Sequence, residues 1–313
     1  MVEFKPMDAG ISPRYAQIST FMRLPHSRDI KNYDVAIIGV PYDGGTSYRP
    51  GTRFGPREIR SYSSLIRGYS YYSKSDLFSR LRIADYGDID ASPYNIELTY
   101  KLIEDTIESI LNENVFPVVI GGDHSISLGI LRAVAKKYGP VGLVQFDAHS
   151  DTYDGVYGTE YHHGTPFKRA IEEGLIDPSR SLQIGIRGQF VSSTDLDYAL
   201  QSGMKILMMD DINKKGISDV IKNIEGLGKE PVYVSLDIDA VDPAFAPGTG
   251  TPVPGGFDSR EIIQLIRSLK PLNVVGFDLV EVSPPYDNNG ITSLLASNLI
   301  YEFLNTVSLE KKS

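Results

Sequence analysis

The chain has no cysteine among its 313 residues. Disulfides, thiolate nucleophiles and cysteine-held zinc or iron–sulfur sites are therefore excluded. Histidine is scarce, with five in all, so any metal site must rest largely on carboxylate or carbonyl oxygen. No run approaches the ~18 apolar residues of a membrane span. A basic excess is also missing: 31 Lys plus Arg against 40 Asp plus Glu leave a net charge of −9. That argues against nucleic acid as a partner and suits a cationic one. The first eight residues, MVEFKPMD, carry an early Glu and Asp and no apolar core, unlike a secretory signal. With 41% hydrophobic and 23% charged residues, the composition is that of an ordinary globular protein, expected in the cytoplasm with no membrane partner.

Short apolar runs recur through the chain. They mark strands at 34–40, 81–85, 116–120, 141–146, 182–186, 205–209, 232–237 and 274–279, and their near-continuous Val/Ile/Leu content reads as parallel strands covered on both faces. Amphipathic stretches at 94–112, 125–137, 259–269 and 291–305 read as helices between them. The expected fold class is α/β, either an open doubly wound sheet or a closed barrel. The Ser- and Tyr-rich stretch 67–80 is too short for a linker and reads as a surface excursion. No internal repeat appears. A single domain over 1–313 is expected, with an N-terminal extension at about 1–30.

Both architectures bind ligands beyond the carboxyl ends of the strands, and three strand ends carry reactive residues. Run 116–120 leads into Gly121-Gly122-Asp123-His124-Ser125, run 141–146 into Asp147-Ala148-His149-Ser150-Asp151, and run 232–237 ends on Asp237-Ile238-Asp239. If the chain stays extended, residues two apart share a side, so Asp147, His149 and Asp151 converge, as do Asp237 and Asp239. Clustered like charges would repel unless a cation compensates them. Two imidazoles among four carboxylates suit a divalent pair, with Mn²⁺ favoured by oxygen-rich ligation. Such a pair lowers the pKa of a bridging water enough to present hydroxide at neutral pH. Nearby, His162 or His163 could shuttle protons, and Glu281, closing the last strand, could pair with a planar cation such as guanidinium. The Gly-rich stretch 43–56 lacks the Gly-Lys-Ser/Thr ending of a phosphate loop, and Gly248-Thr249-Gly250 opens no helix because prolines follow. His26 reads as surface.

GGDHS at 121–125, DAHSD at 147–151 and SLDIDAVDPAFAPGTGTPVPGG at 235–256 resemble the three signatures of the ureohydrolase family, which includes arginase, agmatinase, guanidinobutyrase and proclavaminate amidinohydrolase. The likeness runs from GVPYDGGTSYRPGTRFGP near the start to VEVSPPYD near the end. It implies a three-layer α/β/α sandwich around an eight-stranded, mainly parallel sheet, and two Mn²⁺ per subunit. His124, Asp147, Asp151 and Asp237 would hold one ion and Asp147, His149, Asp237 and Asp239 the other, so that Asp147 and Asp237 bridge. His163 would be the proton shuttle and Glu281 the guanidinium partner. A bridging hydroxide would attack the guanidinium carbon, Asp151 would help to stabilise the tetrahedral intermediate, and urea would leave. A homo-oligomer, trimer or hexamer, goes with the resemblance.

Tyr153 stands where arginases carry an Asn that reads the amino-acid end, which disfavours arginine itself. A small cationic guanidino substrate, agmatine, is the expectation. The segments at 12–25 and 161–167 look at least as similar to guanidinobutyrase and proclavaminate amidinohydrolase, so a guanidino acid is the alternative. A single-zinc deacetylase would leave His124 and Asp239 without a ligand role. A non-catalytic polyamine-binding module would have no use for His163.

Overall fold

The computed structural model describes residues 4–307. All eight apolar runs form strands: β1 (Val35–Val40), β2 (Ile83–Asp88), β3 (Phe116–Gly121), β4 (Gly142–Phe146), β5 (Leu182–Ile186), β6 (Lys205–Met208), β7 (Pro231–Asp237) and β8 (Asn273–Val280). They pair in parallel, in the order β2-β1-β3-β8-β7-β4-β5-β6. The sheet is open, with β2 and β6 at its edges, and the barrel is ruled out.

Alternation along each strand builds the layers, because successive side chains leave opposite faces of a sheet. Val35, Ile37, Phe116, Val118, Ile120, Val232, Val234 and Leu236 join one apolar cluster with Ile59, Ile266, Ile300 and Phe303 of the helices on that face. Ala36, Ile38, Val40, Val119, Leu143 and Tyr233 join a second cluster with Tyr100, Ile103, Ile107 and Leu131 from the opposite helices. Burying one such aliphatic or aromatic side chain stabilises by roughly 1.5–3 kcal/mol, and strands covered on both faces collect that gain twice over. The result is the three-layer α/β/α sandwich. The helices expected at 94–112 and 259–269 run Ile96–Asn112 and Ser259–Ser268. Asn95 and Asp258 accept N–H bonds at their starts and define where they begin.

Two stretches differ from the sequence reading. Residues 67–80 form a hairpin, Tyr69–Ser70 against Ser75–Asp76, followed by the helical turn Leu77–Arg80, and Leu77 is fully buried. Its apolar anchor is a single residue, too little to show as a period. Within the expected N-terminal extension, Phe21, Met22 and Leu24 lie in the core. The Phe21 N–H donates to Asp85 Oδ2 at 2.7 Å, a carboxylate that the buried Arg60 also holds at 2.8 and 3.0 Å.

The topology creates the site. After β3 the chain crosses three positions to β4, and β8 and β7 later fill the gap. The four central strands β3, β8, β7 and β4 thus end side by side, where the direction of winding reverses and α/β sheets bind their ligands. Among the described residues, no helix is long and apolar enough to cross a membrane.

Candidate metal centre

Each loop after β3, β4 and β7 opens on a turn that one of its aspartate carboxylates makes. Asp123 accepts the Ser125 N–H at 3.0 Å and the Gly45 N–H at 2.7 Å. Asp147 Oδ1 accepts the His149 N–H at 2.6 Å, and Asp237 Oδ1 accepts the Asp239 N–H at 2.8 Å, capping the turn Ile238–Ala240. An extended pleat is therefore not what brings these residues together, since the strands stop at Phe146 and Asp237. Asx turns fold the chain back instead. The side chains converge all the same.

His124 Nδ1 lies 3.1 Å from Asp147 Oδ2, 2.9 Å from Asp151 Oδ2 and 3.3 Å from Asp237 Oδ2. His149 Nδ1 lies 3.0 Å from Asp239 Oδ2 and 3.6 Å from Asp147 Oδ1. Ligand atoms from His124, Asp147 and Asp237 fall within 4.8 Å of one another, as do those from Asp147, His149 and Asp239. Asp147 belongs to both groups, one oxygen on each side. Asp237 joins Asp147 in the group around His124, and its Oδ1 accepts the Asp239 N–H just as Asp147 Oδ1 accepts the His149 N–H. Two fully buried atoms, His124 Nδ1 and Asp239 Oδ2, have no aligned hydrogen-bond partner. Four carboxylates, each at most 6% exposed, face each other here. Their charge of −4 matches two divalent cations, and the two-imidazole, oxygen-rich donor set suits the same pair. The residues fit it.

The electrostatics carry the same message. Burial raises the pKa of Asp237, and Asp239 and Asp147 beside it raise it further. Burial likewise lifts Asp151, to about 6. His124 is pushed the other way: burial disfavours its charge, but the carboxylates of Asp147, Asp151 and Asp237 outweigh this and hold its pKa well above the ordinary value.

Glu281 follows β8 in left-handed backbone, φ 65°, and Asp151 does so at φ 50°. Such a conformation is rare outside glycine and clusters at functional sites. Glu281 is 1% exposed. Its Oε1 accepts the His124 N–H at 2.9 Å and lies 3.0 Å from His163 Nδ1, while Oε2 is buried without a partner. Burial would lower the His163 pKa, yet the Glu281 carboxylate prevails and raises it to about 9. The far ring nitrogen of His163 sits 2.7 Å from Ser47 Oγ. His162 plays no such part: its ring nitrogens face the Gly164 N–H and the Asp154 carbonyl, and burial lowers its pKa. His26 is exposed, as read.

Several site residues escaped the sequence reading. The Gly-rich stretch set aside as no phosphate loop is a wall of the site, through Gly45 and Ser47. A Cβ on Gly45 would come within 3.0–3.1 Å of Asp123 Oδ2, Ser125 Oγ and His163 N, so glycine is needed for close approach. Gln145 donates to Asp147 Oδ2 at 2.8 Å, and Gln183 braces Gln145 at 2.7 Å.

The comparisons bear on this geometry. Residues 33–305 match the model of the arginase family. The chain belongs to the arginase family. It is an amidinohydrolase, similar over nearly its whole length to proclavaminate amidinohydrolase of Streptomyces clavuligerus (50% identical over 301 residues, 95% of this chain and 96% of that one). Guanidinobutyrase of Pseudomonas aeruginosa is 44% identical over 304 residues, 96% of this chain and 95% of that one. The mitochondrial agmatinase of Gallus gallus is 42% identical over 300 residues, 96% and 88% of the two chains. The solved structure of the Streptomyces enzyme superposes with a TM-score of 0.91 at 49% identity, covering 94% of this chain and 98% of that one. This arginase-family chain therefore shares its eight-stranded sheet with a solved relative.

Proposed function

We propose that the chain hydrolyses the guanidino group of a linear substrate with the help of two Mn²⁺ ions: a substituted guanidinium plus water gives an alkylammonium plus urea. The observation that carries this reading is the buried Glu281 Oε2, an unpartnered carboxylate oxygen beside two groups of metal-competent side chains. His124, Asp147, Asp151 and Asp237 would hold one ion and Asp147, His149, Asp237 and Asp239 the other. When bound, the pair supplies Lewis acidity that makes water a hydroxide-strength nucleophile near neutral pH. Glu281 takes N–H bonds from the flat guanidinium and fixes the face presented to attack. Asp151 accepts hydrogen bonds from the amino groups as the carbon becomes tetrahedral. His163, protonated beside Glu281, gives its proton to the leaving amine, and Ser47 lies on its path to solvent. A deacetylase with one ion would leave His124 and Asp239 idle, whereas both sit inside the ligand groups.

For the substrate, a guanidino acid is favoured, by the similarity to guanidinobutyrase and proclavaminate amidinohydrolase. Agmatine, which the acidic composition suggests, is the second reading and is supported by the likeness to agmatinase. The test is urea release from Mn²⁺-loaded protein with 4-guanidinobutyrate, agmatine and arginine. The tails of the first two differ in charge, and sites built for polar groups reject mismatched analogues by about 10⁴-fold. We expect kcat/KM for 4-guanidinobutyrate to exceed that for agmatine by at least ~10²-fold. The reverse ratio would make the chain an agmatinase, and no urea from any of them would refute the reaction class.

His163→Asn should lower kcat by roughly a hundredfold, the lower range for removing a positioned acid, while KM changes little because Glu281 still binds the guanidinium. Steady-state kinetics decide, and a kcat equal to the parent's would exclude His163 as the proton donor.

A further inference from the structure

A chain of hydrogen bonds runs away from the metal-facing side of His124. The far ring nitrogen, Nε2, lies 2.8 Å from Ser235 Oγ on β7, and Ser235 Oγ lies 2.6 Å from Asp278 Oδ1 on β8. Asp278 Oδ2 in turn lies 2.6 Å from both Ser127 Oγ and Tyr233 Oη. His124, Ser127, Tyr233, Ser235 and Asp278 all have 0% exposure, so the network is closed to bulk solvent. We propose that Asp278, acting through Ser235, is a positioning residue that fixes which nitrogen of His124 carries the proton and which faces the metals. The inference rests on the metal-site reading given above.

The number of available protons fixes the direction of each bond. Three hydroxyls converge on Asp278, and each has only one proton to donate. Among the described residues, Ser127 and Tyr233 have no other side-chain acceptor, so both donate and Asp278 serves as acceptor throughout. Ser235 therefore also spends its proton on Asp278 and turns a lone pair to His124. Only an N–H at Nε2 satisfies that lone pair. A neutral His124 then has a bare Nδ1, the nitrogen that lies among the oxygens of Asp147, Asp151 and Asp237. The edge-on contact of Phe167, 5.1 Å between ring centroids, holds the ring plane. Such outer partners raise ligand basicity and orient the ring, and losing one typically costs 10- to 100-fold in metal affinity.

The test measures Mn²⁺ affinity by electron paramagnetic resonance titration in the parent, Ser235→Ala, Asp278→Asn and the double variant. Each single change should weaken one of the two ions by about 10- to 100-fold. Because the two residues act in series, the double variant should be no weaker than the weaker single. Parent-like affinity in the single variants would overturn the proposal, as would losses that multiply in the double. If Asp278→Asn does not fold, Ser235→Ala decides alone. A loss of affinity with an unchanged unfolding temperature of the metal-free protein supports the relay, and unchanged affinity overturns it. In Zn²⁺-loaded, ¹⁵N-histidine-labelled protein, the His124 proton should reside on Nε2; a proton on Nδ1 would also overturn it. Failure of the parent itself to bind Mn²⁺ would instead refute the metal-site reading.

Discussion

Asp239→Ala is expected to remove one divalent ion from each chain and to lower urea release by about a thousandfold or more. Asp239 is 1% exposed and offers Oδ2 without a hydrogen-bond partner, 3.0 Å from His149 Nδ1. Alanine leaves that side of the site with His149 and the two shared carboxylates of Asp147 and Asp237. Lewis-acid stabilisation contributes several kcal/mol to such reactions, and about 4 kcal/mol is a thousandfold in rate. The fold should survive, because the change removes one member of a repelling carboxylate cluster. Its cost is the bond from the Ala148 N–H to Asp239 Oδ1 at 3.0 Å, typically ~1 kcal/mol. Metal content by elemental analysis and urea release measured on the same sample decide the matter. Two ions per chain with parent-like turnover would show that Asp239 is no ligand.

The sequence made the site visible because its residues follow apolar strands, and the strands were visible because burial on both faces leaves continuous Val/Ile/Leu runs. The mechanism of convergence was not visible. Alternation along an extended chain predicts that Asp147 and His149 share a side, and in the structure they meet because Asp147 turns the chain with its own carboxylate. Both geometries use the same spacing of two, so spacing alone cannot separate them. The outer residues were hidden for another reason. Gln145, Gln183, Ser235 and Asp278 each interrupt an otherwise apolar parallel strand, and all have 0% exposure. A buried polar residue is the informative observation in a core, but its partners lie on other strands, as with Gln183 and Gln145, and no local pattern reveals the pairing. Ser47 is the least legible of all. It reaches His163 across 116 positions from a loop with no period of its own.

Glu281→Gln should lower kcat/KM by about a thousandfold and shift its pH dependence. Losing one partner of a buried, hydrogen-bonded charge pair costs about 2–5 kcal/mol, and a guanidinium facing a neutral amide is that case. The backbone cost should be nil, since both side chains need the same φ of 65°, and the amide oxygen can still accept the His124 N–H now held at 2.9 Å. The pH effect runs through His163. Burial alone would depress its pKa, and the Glu281 carboxylate is the leading counterweight that lifts it to about 9. With the carboxylate neutralised, burial prevails and the imidazole loses its proton at lower pH. In the parent, the stabilising pair is fully present below the ordinary histidine pKa and is lost as pH rises through about 9. The basic limb of kcat/KM should therefore move to lower pH in the variant. The melting temperature of the metal-free variant should also lack the decline that the parent shows as pH approaches 9. An unchanged basic limb would mean that His163 does not take its charge from Glu281, and a small loss in kcat/KM would mean that the substrate's cation binds elsewhere.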